Sequence, residues 1–339
     1  MKPLSTLAQS VRASTTMAID TQFKKMRAEG IDVIGFSVGE PDFPTPERIK
    51  QAGIRAIEAD QTKYTPTPGT LAVRQAVCQR LEEDWGLHYT PDEVVVTGGG
   101  KPVLYTALKA LVNPGDEVIL PAPYWVSYYE LIQMVGGTPE VVETTEENGF
   151  NLTPQQLRQA ITPKTKALIL NSPSNPTGMI YSRQHLEDLA QVCLEADLYV
   201  IADEMYSKLI FDGKEFVSFP TLSEAVKAHT ILVNGASKTY AMTGWRIGFA
   251  AASREITQVM NNYLSHSLSG TCSIAQAAAA EAFGGPQEEI EAMRQAFETR
   301  RNYLYDRMSQ IPGVHPVRSE ATFYMLMNLS QLIGKTLYG

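Results

Sequence analysis

A lysine becomes a nucleophile when the chain strips water from around it, and Lys238 has a local sequence suited to that. It follows the apolar run Thr230-Ile231-Leu232-Val233-Asn234 and sits in Gly235-Ala236-Ser237-Lys238. On an open loop such a lysine is only a solvated charge. Near-buried at a strand end, it is a candidate for Schiff-base formation with a carbonyl compound. Asp203 closes a second apolar run, Leu198-Tyr199-Val200-Ile201-Ala202. A carboxylate at the carboxyl end of a parallel strand lies where open α/β sheets bind ligands. The same residue type also caps a helix, here one expected over 204–208. Gly98-Gly99-Gly100 stands between a strand and a helix whose first turn carries Pro102. Amides free of a Cβ can cradle a phosphate at such a helix start, or simply make a tight turn. Two nucleotide patterns fail: Val103 replaces a glycine of GxGxxG, and Val95 and Pro102 break a Walker A loop. His88, His185, His229, His266 and His315 are scattered without ligand spacing, which predicts no metal site.

These groups need a scaffold, and the hydrophobic pattern supplies one. From Asp92 onward, short β-branched runs at 93–97, 117–121, 166–171, 198–203, 230–234 and 246–251 alternate with helical stretches at 102–112, 126–135, 154–161 and 183–196. That alternation predicts βαβ units around a buried, mostly parallel sheet. Before it lie a weakly amphipathic helical arm over 1–30 and a proline-rich loop at 39–46. Two helices follow, from about Glu47 and up to Asp84, separated by a second loop at 64–69. The pair Tyr128-Tyr129 reads as helix packing. After residue 270 a helix spans Ala277 and Ala280, and a long one runs over 287–309. In the long helix Ile290, Met293, Phe297, Leu304 and Met308 mark one apolar face. Two strand-like runs follow, at 314–317 and 323–327.

With 339 residues the chain has room for about two domains. Hydrophobic positions at 44% and charged positions at 19% place it among globular proteins. Its 29 Lys+Arg against 37 Asp+Glu give −8 with no basic block, which argues against nucleic acid or anionic lipid as the main partner. No run approaches the roughly 18 apolar residues of a membrane span. Cys78, Cys193 and Cys272 form no CxxC pair, so neither a disulfide framework nor a zinc ribbon is expected, and a cytoplasmic location suits them.

Three motifs in register then carry a family resemblance. The stretch Gly235-Ala236-Ser237-Lys238-Thr239-Tyr240-Ala241-Met242-Thr243-Gly244-Trp245-Arg246-Ile247-Gly248 resembles the pyridoxal-phosphate attachment signature of class I (fold type I) aminotransferases. Asn171-Ser172-Pro173-Ser174-Asn175-Pro176-Thr177-Gly178 resembles that family's Asn-Pro-Thr-Gly turn, and Asp203-Glu204-Met205-Tyr206 its Asp-Glu-x-Tyr segment. Gly100-Lys101 and Pro123-Tyr124-Trp125-Val126-Ser127 are similar to the Ib subgroup of aspartate aminotransferases. The likeness runs from about residue 12 to the end.

The resemblance implies a homodimer of fold type I, an α/β architecture. A large domain over 45–280 would hold a mainly parallel seven-stranded sheet. A smaller α+β domain would combine the arm, 1–44, with 281–339, and the cofactor would be pyridoxal 5′-phosphate. It further implies that Lys238 holds the cofactor as an internal aldimine and then shuttles a proton, and that Asp203 pairs with the pyridine nitrogen. Asn175 and Tyr206 would meet the ring's phenolic oxygen, and Trp125 would stack on its face. Gly99, Gly100, Lys101, Ser237 and Arg246 would line the phosphate side of the site, with Tyr64 arriving from the neighbouring subunit. Gly39 and Lys101, with Trp125 and Asn175, would contact the substrate, Lys101 meeting the distal carboxylate of an acidic one. Arg12 reads as a solvated arm residue, and Ser265, Ser267 and Ser269 lie where the family places a contact from the partner subunit.

The expected reaction is transfer of the amino group of aspartate to 2-oxoglutarate by a ping-pong mechanism. Prephenate, aromatic amino acids or alanine are alternatives on the same scaffold. Family members acting on prephenate often carry a hydroxyl residue at the position of Pro66, which tilts the expectation toward aspartate. The family pattern also continues past residue 339 and carries there the arginine that clamps the substrate α-carboxylate. Arg318 lies before 323–327 and does not match it, so the expectation is an incomplete copy of a longer enzyme, or a cofactor-binding protein without turnover.

Overall fold

The computed structural model describes residues 2–36 and 38–336. Seven strands form the central sheet: β1 (Val94–Thr97), β2 (Glu117–Ala122), β3 (Thr138–Glu143), β4 (Thr165–Asn171), β5 (Tyr199–Asp203), β6 (Thr230–Gly235) and β7 (Gly248–Ala251). Their spatial order is β1-β7-β6-β5-β4-β2-β3. β3, β2, β4, β5 and β6 pair in parallel, whereas β7 runs antiparallel to both β6 and β1. This is the α/β fold expected from the alternation of strands and helices.

Side chains along the strands divide between two helical layers with a period of two. Val118, Leu120, Ala167, Ile169, Ile201, Ile231 and Val233 pack with the helices Gly100–Leu111, Ser127–Met134 and Arg254–Ser267 on one face. Ile119, Leu168, Leu170, Val200 and Ala202 pack on the other, against Pro154–Ala160 and Arg183–Glu195. Val94, Val96, Leu232 and Phe249 continue that second face under Glu47–Glu58, Leu71–Trp85 and Ser273–Gly284. Each such Val, Leu or Ile contributes about 1.5–3 kcal/mol by leaving water, so the sheet is the rigid part of the molecule. Its carboxyl edge carries the loops that matter below.

Several expectations need correction. β3 was not among the predicted strands: it lies at the sheet edge, begins Thr138-Pro139, and buries no residue fully. An edge strand lacks the apolar run that marks a central one. β7 starts at Gly248 rather than 246, because Arg246 has φ +58° and cannot continue a strand. Residues 204–208 form turns, not a helix, with the Glu204 amide donating to the Val233 carbonyl at 2.9 Å. Near the C-terminal end, β8 (His315–Pro316) and β9 (Met327–Asn328) pair antiparallel, and Ala321 makes an isolated antiparallel bridge with Ile210. Phe323 and Tyr324 leave the strand direction to join an aromatic cluster with Tyr206 and Phe297. In the long helix Glu288–Ser309, Ile290, Met293 and Phe297 are buried while Leu304 and Met308 are half-buried. The helices Thr6–Ser10 and Thr15–Ala28 form the expected arm, whose buried residue is Asp20. Among the described residues, no helix is long and apolar enough to cross a membrane.

Candidate active site

The ends of β1, β2, β4, β5 and β6, with one crossing loop, build the site. β6 ends at Gly235, and the short helix Ala236–Thr239 brings Ser237 and Lys238 to the sheet edge at once. A Cβ on Gly235 would stand 2.8 Å from the Ile247 carbonyl oxygen and 2.9 Å from the Gly248 Cα, so glycine lets β6 and β7 close together there. Lys238 is largely buried. Its ammonium donates to the Gly39 carbonyl at 2.6 Å and lies 5.6 Å from the centre of the Phe323 ring. Burial pulls its pKa down to about 8; Glu40 opposes the shift and Arg246 adds to it.

Asp203 ends β5 beside β6 and is 4% exposed. Its Oδ2 accepts from the Tyr128 hydroxyl at 2.8 Å and its Oδ1 from the Met205 amide at 3.2 Å. Burial nevertheless raises its carboxyl to about 6, with those two bonds working against the rise. Tyr128 in turn meets Trp125 edge to face, ring centres 5.3 Å apart. Next along the chain, the Tyr206 hydroxyl lies 2.9 Å from that of Tyr324. Burial drives the Tyr206 phenol well above its ordinary pKa, and the Asn175 side chain acts against that rise. The Asn175 loop is tied to the same strand end: its amide donates to Asn171 Oδ1 at 2.8 Å, and Asn171 Nδ2 donates to the Asp203 carbonyl at 2.9 Å.

The glycine loop after β1 faces Arg246. A Cβ on Gly99, whose φ is +109°, would overlap the Arg246 guanidinium, and one on Gly100 would stand 2.7 Å from the Met205 methyl. Glycine there lets a cation and the first amides of helix Gly100–Leu111 share one concave patch, which suits a phosphate. Lys101 extends it, with its ammonium 5.1 Å from the centre of the Trp125 ring. Desolvation, then Arg246, holds the Lys101 pKa below the usual lysine range.

The structure therefore brings Lys238, Asp203, Tyr206, Asn175, Trp125, Gly99, Gly100, Lys101, Ser237, Arg246 and Gly39 to one edge of the sheet. Tyr64 is not among the contacts of this edge; its side chain is 98% exposed. Arg12 is exposed, and its amide donates to Glu130 at 3.1 Å. Ser265 and Ser267 hydrogen-bond back to their own helix. Two residues went unrecognised in the sequence. Tyr128 is more than packing, since its hydroxyl serves Asp203, and Tyr324 engages Tyr206 while crowding Gly39, where an added Cβ would overlap it.

The site gathers a desolvated amine, a buried carboxylate and a glycine-arginine patch at one sheet edge. Comparison with known proteins gives the class. The family described as Aminotransferase class I and II matches residues 31–338. An aspartate aminotransferase of Geobacillus stearothermophilus is 49% identical over 94% of this chain and 81% of its own length. An aspartate/prephenate aminotransferase of Cereibacter sphaeroides is 45% identical over 99% and 84%. The crystal structure of an aspartate aminotransferase from Rhizobium meliloti superposes with a TM-score of 0.95 at 37% identity, covering 100% of this chain and 84% of that one. This chain belongs to the class I and II aminotransferases. It is a transaminase of fold type I, in a family whose cofactor is pyridoxal 5′-phosphate. The donor set fits that group: an amine for its aldehyde, a carboxylate for its ring nitrogen, and cationic and amide donors for its phosphate.

Proposed function

We propose that the chain transfers the amino group of aspartate to 2-oxoglutarate by a ping-pong reaction, with Lys238 carrying the cofactor. When bound, pyridoxal phosphate supplies an aldehyde for the amino group and a ring that spreads negative charge from the substrate Cα. Everything else falls to the protein. Lys238, with a pKa of about 8, is neutral in an appreciable fraction near neutrality and can take the Cα proton on Nζ, then return it. Asp203 would hold a proton on the ring nitrogen, Asn175 and Tyr206 would meet the phenolic oxygen, and Trp125 would cover one face. Gly99, Gly100, Ser237 and Arg246 would bind the phosphate. The Gly39 backbone would contact the substrate's α-carboxylate.

The observation that carries aspartate is Lys101. Its ammonium stands over Trp125 and near Arg246, on an exposed side chain at the rim where a second substrate carboxylate would reach it. The relatives' printed activities support the same donor. Prephenate as a further amino acceptor is supported by the Cereibacter relative and by aspartate/prephenate aminotransferases of Aquifex and Thermus. The active unit is a homodimer in the cytoplasm, with Tyr64 completing the neighbour's phosphate site, and the chain divides into an arm (1–44), a large domain (45–280) and a small one (281–339).

Borohydride trapping tests the cofactor assignment. The wild-type chain, loaded and reduced, gains one cofactor by intact mass, and Lys238→Ala gains none. A variant that still carries the reduced adduct sinks the assignment.

A further inference from the structure

We infer that Tyr128 is a positioning residue for Asp203, donating a buried hydrogen bond that keeps this carboxylate ionised and oriented for the cofactor's ring nitrogen. The inference rests on the proposed role of Asp203 and extends it to a residue one layer further out. Tyr128 sits in the first turn of helix Ser127–Met134, is 2% exposed, and ends 2.8 Å from Asp203 Oδ2. Its edge lies against Trp125, so one ring is fixed to both the carboxylate and the aromatic wall of the site. The groups acting around Asp203 come from each neighbouring element. Glu204 adjoins it on β5's exit, Tyr206 follows in the turn, and Tyr324 reaches Tyr128 and Tyr206 from the C-terminal segment. None of these supplies a positive charge to Asp203. The bonds that favour its anion come from Tyr128 and the Met205 amide. For a buried carboxylate held by two such bonds, loss of the one from Tyr128 shifts the balance toward the neutral acid. Tyr128 itself stays protonated, because burial and the adjacent Asp203 charge hold its phenol well above the ordinary value.

The test measures cofactor affinity, not turnover, from quenching of tryptophan fluorescence across pH 5 to 9. Wild type, Tyr128→Phe and Asp203→Asn are compared as full-length chains, so that the cofactor's own titrations are common to all three. The expected result is an affinity that falls with acidity in wild type through a midpoint near pH 6, the value at which Asp203 protonates. In Tyr128→Phe the midpoint moves up by about one unit, as loss of one hydrogen bond to a charged acceptor implies. In Asp203→Asn this midpoint is absent. An unchanged midpoint in Tyr128→Phe, with its loss in Asp203→Asn, overturns the inference while leaving the Asp203 role standing. A midpoint that survives in Asp203→Asn overturns both. Should Tyr128→Phe fail to fold by circular dichroism, a 3,5-difluorotyrosine placed at position 128 retains the ring and makes a stronger donor. It should move the midpoint down, and a midpoint that does not fall overturns the inference.

Discussion

At the scale of single residues, the site depends on which charges the fold desolvates. Lys101, exposed at the rim, is the residue that would read the substrate. If its ammonium receives the distal carboxylate, Lys101→Ala lowers kcat/KM for aspartate by about 10- to 100-fold, the scale of one charge-assisted contact. The value for alanine as donor stays within about twofold. Equal losses for both donors would remove the argument for an acidic substrate. Glu204 illustrates a consequence of burial. It accepts from the Ser218 hydroxyl at 2.7 Å and the Phe219 amide at 2.8 Å, yet desolvation lifts its carboxyl to about 8, from 4.5. The folded chain thus holds a proton that the unfolded chain releases above pH 4.5. Stability from this proton is complete below about pH 4.5 and is lost as pH rises through 8. Between pH 5.5 and 8.5 the wild-type chain should lose on the order of 3 kcal/mol more than Glu204→Gln, whose amide fits the same partners without titrating. Urea unfolding of the cofactor-free proteins at both pH values measures the difference. Asp203, raised to about 6, acts in the same sense over a lower window. Lys238, lowered to about 8, acts in the opposite sense, its stability being lost as pH falls from the ordinary lysine value toward 8.

At the scale of elements, the phosphate cradle depends on how tightly β7 passes the glycine loop. A Cβ on Gly248 would come within 2.5 Å of the Gly99 carbonyl carbon and 2.7 Å of the Gly100 nitrogen, both backbone atoms that cannot swing aside. Gly248→Ala should therefore cost on the order of 2 kcal/mol in stability, as overpacking does, and weaken cofactor binding more than tenfold. Gly244→Ala, whose Cβ meets nothing within 4 Å, should change neither. A Gly248→Ala chain with wild-type affinity would show that the loop is not held by this contact. The same elements explain what the sequence makes legible. β4, β5 and β6 are covered on both faces, so their apolar runs stand out, and Asp203 and Lys238 are found by following those runs to their ends. β3 is half-exposed at the edge and carries no such run. Tyr128 escapes for a related reason: a tyrosine facing the core has the same pattern whether or not its hydroxyl has a task. Its partner is 75 residues away, a pairing that only the folded sheet creates. Tyr324 is further still from Tyr206, 118 residues along the chain, and is placed by departure from a predicted strand.

At the scale of the whole molecule, the chain leaves large apolar side chains exposed near its N-terminal end. Leu4, Ile34 and Phe36 on the N-terminal segment are 75%, 77% and 90% exposed, and Tyr64 is 98% exposed. Side chains of this kind, gathered on an arm whose helices bury almost nothing, favour association. If Tyr64 serves the neighbour's phosphate site, the two halves of one site come from different chains, and this can be read by complementation. Lys238→Ala chains keep an intact Tyr64 and lack the amine. Tyr64→Ala chains have the reverse defect. A hybrid of the two then contains one site with both residues intact and one with neither. Random pairing of equal amounts makes half of the dimers hybrid, so about a quarter of all sites should be wild type. Co-refolded mixtures should accordingly recover roughly a quarter of wild-type activity above the average of the two parents. If Tyr64 instead acted within its own chain, every site in the mixture would carry one defect and no activity would be gained. The stoichiometry of recovery thus separates a shared site from a dimer that merely packs two independent ones.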